Sequence, residues 1–217
     1  MSFDALAPCY GSLEWIAFGE QLQRCRVACL DEIPSPCRAL IVGEGNGRFL
    51  CELLQKNPTV EIDCVDSSAR MLGLARARLE KELPERLERV RFLHEDIRSW
   101  KPPGQHYDLI ITHFVLDCFP QAQLVEIIRK LSHAALDDAI WLLADFCVPA
   151  KGMARLRARG WLAAMYWFFR LTTRIEASEL IDPTTFMRAE GFTLSRQRLF
   201  EGGMLRSEMW QKIRRRW

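Results

Sequence analysis

Gly43, Gly45 and Gly47 recur at alternate positions in "ALIVGEGNGRFL", directly after four apolar residues. Apolar residues of strand length that run into glycines, and then into a helical pattern from about Arg48, predict a nucleotide-type site. Bare backbone lets a ligand come close, and the helix N-terminus offers free N–H groups. The spacing is G-x-G-x-G; the G-x-G-x-x-G of dinucleotide enzymes would need glycine where Arg48 stands. Alone, such a loop can also be only a tight turn. Asp66 adds chemistry, because it closes "EIDCVD" 23 residues after Gly43, where a strand-end carboxylate can take both hydroxyls of a ribose. Asp96 and Ile97 in "LHEDI" end the next apolar run and suit an adenine amino group and its apolar face. Three strand ends then converge on one ligand.

The elements that must position these residues follow from periodicity. Strand-length apolar runs at about 38–43, 60–65, 90–94, 107–113 and 139–145 alternate with "GRFLCELLQKN", "SARMLGLARARLEKEL" and "PQAQLVEIIRKLSHAA", whose apolar residues fall at helical spacing. That βαβ rhythm predicts a parallel sheet with helices on both faces. Before the first strand, an N-terminal helix is expected over 11–33, closed by "PSP". The rhythm breaks over about 151–180, read as a cap insertion, and resumes at "DPTTFMRAEGF". There Asp182 can cap a helix with Pro183 at its first position and Gly191 at its end. Two strand-like runs joined at Gly202 and Gly203 follow as a hairpin. The expectation is one domain over 1–217.

Composition narrows the class. The chain is 49% hydrophobic and 27% charged, as in ordinary globular proteins. Its N-terminus lacks the basic and long apolar regions of a signal peptide, and its apolar runs are too short to span a bilayer, so a cytoplasmic protein is expected. Eight scattered cysteines without any CxxC read as reduced thiols, and no metal is expected. The net charge of +2 hides an asymmetry. Residues 151–217 carry 14 Lys/Arg against 6 Asp/Glu, and the preceding 150 carry 16 against 22. A basic final third suits an anionic substrate, nucleic acid or a membrane surface; a solvated basic face is its commoner meaning.

Taken together, "FDALAPCY", "LIVGEGNGRF", "IDCVDSSARML", "LHEDI", "YDLIITHFVLDCF" and "AIWLLADF" resemble the class I S-adenosylmethionine-dependent methyltransferases over nearly the whole chain. The opening "FDALAPCYGSLEW" is similar to small-molecule members of the quinone-biosynthesis type. The resemblance implies an α/β, Rossmann-like seven-stranded sheet of order 3-2-1-4-5-7-6, its last strand antiparallel. It places the donor's methionine part against Gly43, Glu44, Gly45, Asn46 and Gly47, the ribose on Asp66, Ser67 and Met71 beside the adenosine, and adenine on Asp96 and Ile97. Thr112 and His113 then lie beneath the sulfonium, and Tyr10 closes over the cofactor. Many members carry an acid two residues before the first glycine. Here that position is Ile41, which leaves Glu44 or the Gly43 carbonyl to hold the donor's amino group.

Methyl transfer from a sulfonium is an in-line displacement that destroys a positive charge, so alignment and dryness can outweigh acid–base chemistry. An acceptor with a tightly held proton still needs a base, and the candidates are His113 and Asp117. Each has a plainer reading: His113 as a residue that shapes the pocket, Asp117 as a helix cap. Asp145 ends the fifth strand, where it serves structure or substrate. The rings of the insertion, Trp161 and Tyr166 among them, point to a small apolar or aromatic acceptor, with peripheral membrane contact as a second use. Competing readings are a nucleic-acid methyltransferase and a non-catalytic cofactor-binding regulatory module. NAD-linked chemistry fits the fold but not the glycine spacing.

Overall fold

The structure, a computed structural model, describes residues 20–149, 160 and 180–213. Seven strands form one sheet of order β3-β2-β1-β4-β5-β7-β6, namely β1 Arg38–Val42, β2 Glu61–Asp66, β3 Val90–His94, β4 Tyr107–His113, β5 Ala135–Phe146, β6 Phe192–Phe200 and β7 Leu205–Lys212. β1 to β5 run parallel, and β7 lies antiparallel between β5 and β6. The expected order and the antiparallel strand are both present. The carboxyl ends of the five parallel strands therefore share one edge, where β7 begins opposite Phe146.

The apolar runs of the central strands are continuous because both sheet faces are covered. Along β1, Leu40 and Val42 enter one core cluster while Ala39 and Ile41 enter the other. The sheet is accompanied by helices α1 Gln21–Val27, α2 Arg48–Lys56, α3 Ala69–Glu82, α4 Gln121–Ala134 and α5 Thr184–Ala189. Phe49, Leu50, Leu53 and Leu54 of α2 are buried on one face with Leu72 and Leu79 of α3. Leu124, Ile128 and Leu131 of α4 are buried on the other. Full burial of each such side chain contributes about 1.5–3 kcal/mol.

Three boundaries differ from expectation. The N-terminal helix does not continue to 33: α1 stops at Val27, and a 3₁₀ turn takes Leu30–Glu32. Cys29 and Leu30, at that break, are both buried. β5 begins at Ala135, and its pairing with β4 slips between Tyr107 and Leu109. The exposed Leu136, Asp137 and Asp138 in that stretch hide the strand from a hydrophobicity reading. α5 starts one residue later than expected, with Asp182 Oδ1 accepting the Thr184 N–H at 3.1 Å. The insertion from 151 lies outside the described residues apart from Gly160 and Leu180.

Candidate active site

The glycine loop is built from both sides. The Gly43 N–H donates to the Val65 carbonyl at 2.9 Å, which ties the loop to β2. Gly43, Gly45 and Gly47 all have left-handed φ, of 71°, 72° and 83°, a conformation that favours glycine. Gly43 and Gly47 are also sterically closed. A Cβ on Gly43 would lie 2.8 Å from Val115 Cγ2, and one on Gly47 would lie 2.7 Å from Ala75 Cα. Gly47 is thus needed for the approach of α3 to the start of α2. Behind the loop, Arg78 Nε donates to the Asn46 carbonyl at 2.9 Å.

Gly47 precedes α2 without a capping side chain, and Glu44 supplies the missing acceptor: its Oε1 takes the Leu50 N–H at 2.9 Å. Burial pushes the Glu44 carboxyl up to about 7, while its backbone bonds and the nearby Arg26 charge oppose the rise. At the end of β2, Asp66 Oδ1 accepts the Ser68 N–H at 2.9 Å, and Ser68 Oγ accepts the Met71 N–H at the start of α3. Asp96 is gripped by Arg98, whose Nη2 lies 2.6 Å from Oδ2 and whose Nε and backbone N–H reach Oδ1. That grip holds the Asp96 carboxyl below the usual range.

These strand ends open on one cleft. Gly43, Gly45, Asp66, Ser67, Asp96 and Arg98 line it beside an apolar wall that includes Val42, Met71, Ile97, Val115 and Phe119. With its mouth and open solvent included, it holds about 700 Å³ of empty space. Glu44, Asn46 and Gly47 are not among its lining residues.

The fourth strand's end departs from a simple catalytic picture. Thr112 Oγ1 accepts the Trp141 Nε1–H at 2.8 Å, which commits that hydroxyl to the core. His113 is 7% exposed, its ring packs edge-on to Phe49 at 4.5 Å, and its Nδ1 has no hydrogen-bond partner among the described residues. Burial, then the Arg26 charge, depress its pKa well below the ordinary value, so the ring is neutral. Asp117 belongs to a 3₁₀ turn over Leu116–Cys118 rather than to the start of α4. The adjacent Cys118 lines the cleft, and its thiol lies 3.7 Å from Asp117 Oδ1. Asp145 is 2% exposed, accepts the Phe146 N–H, and pairs across strands with Arg206. Burial pushes both carboxyls up, and the charge of Asp117 raises Asp145 further.

Tyr10, Trp161 and Tyr166 lie outside the described residues. Among the lining residues, sequence reasoning missed Glu95, Arg98, Phe114, Val115, Cys118 and Phe119. For Phe114, Val115 and Cys118, the signal is their position directly after β4; for Glu95, its place beside Asp96. Among the described residues, no group of three His, Cys, Asp or Glu side chains can hold a metal. No described helix is long and apolar enough to cross a membrane.

Residues 40–140 match the model of a methyltransferase domain family. Over 162 residues the chain is 26% identical to trans-aconitate 2-methyltransferase of Azoarcus sp. (strain BH72), covering 73% of this chain and 60% of that relative. It therefore spans less than two thirds of that protein's length. Among solved structures, an O-methyltransferase family 2 protein from Planctomyces limnophilus DSM 3776 in complex with apigenin is 18% identical, with a TM-score of 0.69, over 95% of this chain and 62% of that one. The 4+2 cyclase SpnF is 13% identical, with a TM-score of 0.69, over 97% and 93%.

Proposed function

With a methyltransferase domain of the class I S-adenosylmethionine-dependent kind as the premise, we propose that this chain moves a methyl group from S-adenosylmethionine to a small apolar or aromatic acceptor. The observation that carries the reading is the convergence of the glycine loop, Asp66 and Asp96 on one cleft. The residues present fit the donor. Asp66 is a strand-end carboxylate for the ribose hydroxyls, with Ser67 beside it. Met71 and Ile97 offer apolar contact to the adenine, and Asp96 accepts its amino group. The loop from Gly43 to Gly47 receives the amino-acid end. A bound sulfonium supplies an electrophilic methyl carbon and a good leaving group.

The chain's own residues then align an acceptor, exclude water and accept its proton. Asp117 is the better-supported base, because burial raises its carboxyl towards neutrality and its neighbour Cys118 faces the cleft. The packing of His113 against Phe49 supports a pocket-shaping role instead. In this reading Asp145, which precedes the insertion bearing Trp161 and Tyr166 along the sequence, serves the acceptor. An aromatic acceptor accords with those rings and with the apigenin-bound relative.

Calorimetry with S-adenosylhomocysteine tests the donor site, and transfer of labelled methyl from S-adenosylmethionine to small phenolic acceptors tests the reaction. Binding and transfer are expected, with Asp117→Asn lowering turnover by about 100-fold and His113→Asn retaining most of it. Binding of NAD with no affinity for S-adenosylhomocysteine would sink the reading. Methyl transfer to RNA alone would favour the nucleic-acid alternative.

A further inference from the structure

Lys130 lies on α4 beside the buried Ile127, Ile128 and Leu131, so a packed helix holds the base of its side chain. Its ammonium reaches the stretch between β3 and β4, where Nζ donates to the Ile97 carbonyl at 2.6 Å and to the Arg98 carbonyl at 2.9 Å. Both bonds go to backbone rather than to an acid. Burial holds the Lys130 pKa below its ordinary value, and the Asp96 charge opposes that fall.

The turn that carries these two carbonyls is otherwise closed through Asp96. The Asp96 carbonyl accepts the Ser99 and Trp100 N–H groups at 3.0 and 2.8 Å, and its carboxylate accepts the Arg98 N–H at 2.9 Å. Lys130 takes up the carbonyls of Ile97 and Arg98, which backbone polar groups of a partly buried turn require, and it does so with a charged donor. Ile97 and Arg98 line the donor cleft with Asp96, and Arg98 chelates the Asp96 carboxylate through Nε and Nη2. Lys130 is not itself a lining residue. From outside the cleft it fixes the backbone on which that pair is built.

Lys212 makes a contrast. Its Nζ also donates to two carbonyls, those of Ser132 and Ala135 at 2.8 and 2.9 Å, but neither residue lines the cleft.

We propose that Lys130 is a positioning residue for the donor's purine: by pinning the Ile97 and Arg98 carbonyls, it holds the Asp96–Arg98 pair where that pair reads the purine's 6-substituent. The proposal rests on the donor reading above and assigns the residue that sets the preference for adenine. An amino group donates to the Asp96 carboxylate, whereas a 6-oxo group sets oxygen against oxygen.

Calorimetry with two probes tests it: S-adenosylhomocysteine, and its hypoxanthine counterpart, which carries oxygen in place of the 6-amino group. The wild type should prefer adenine by about 10-fold or more. Lys130→Met keeps the apolar stem. It should weaken S-adenosylhomocysteine by about 10-fold and leave the 6-oxo probe within about twofold, so most of the preference disappears. Lys130→Arg keeps the charge and its N–H donors, should retain part of the preference, and carries the test where the methionine variant fails to fold. Lys212→Met should melt at a lower temperature with the preference intact. Equal weakening of both probes by Lys130→Met would make this lysine structural in the same way. That result, unchanged affinities, or a wild type without preference for adenine overturns the assignment. A wild type that binds neither probe overturns the donor reading itself.

Discussion

At the scale of residues, Asp66 has two tasks, since its carboxylate caps the turn into α3 through Ser68 and faces the cleft. The two can be separated. Asp66→Ala should reduce S-adenosylhomocysteine affinity by about 2–3 kcal/mol, the range for hydrogen bonds to a charged group. Asp66→Asn keeps an oxygen for the Ser68 N–H, so it should melt near the wild type while still losing most of that affinity. Calorimetry and thermal unfolding on both variants decide the matter, and unchanged affinity in Asp66→Ala would move the ribose elsewhere. His113 teaches the opposite lesson. Its place at the end of β4 makes it a candidate base, yet its packing against Phe49 and its depressed pKa leave a neutral, buried ring.

At the scale of elements, the glycines differ in purpose. Gly47 lets α2 and α3 meet, because a Cβ there would strike the backbone of Ala75, which cannot yield like a flexible side chain. Gly47→Ala should cost about 1–3 kcal/mol from backbone strain alone, and more from the clash. Gly73, within α3, has open space around its Cβ position and an ordinary φ. Gly73→Ala should stabilise the protein by about 0.4–1 kcal/mol. Urea unfolding of the pair gives opposite signs if α3 packs as described. A neutral Gly47→Ala would mean that the glycine serves the ligand rather than the helix contact.

For the whole molecule, the raised acids set the direction in which stability follows pH. Glu44 rises from an ordinary 4.5 to about 7, so between those values the folded chain keeps a proton that the unfolded chain has released. Stability therefore falls as pH increases through that window, and the loss is complete above about 7. The loss is on the order of 2 kcal/mol, given that the loop retains some solvent. Asp145, raised by burial and by Asp117, adds to the fall in the same direction. Urea unfolding at about pH 5 and about pH 8 should show the decline in the wild type and a shallower one in Glu44→Gln. An equal slope in the variant would remove Glu44 from the account.

Sequence alone determined the features written in local periodicity and spacing. The alternation of strand and helix, the glycine loop, the strand-end acids Asp66 and Asp96, and the hairpin at Gly202 and Gly203 all depend on neighbours along the chain. The family resemblance then supplied the strand order. Local pattern says which face a side chain takes but not what meets it there, and tertiary structure decided that. Thr112 turns out to serve Trp141, Gly47 to admit Ala75, and Glu44 to cap α2. What Arg26 meets could not be read from the sequence, because a charge on an amphipathic helix resembles any solvated one. Only the packing of α1 beside α2 brings its guanidinium over Phe114, 88 positions further along the chain.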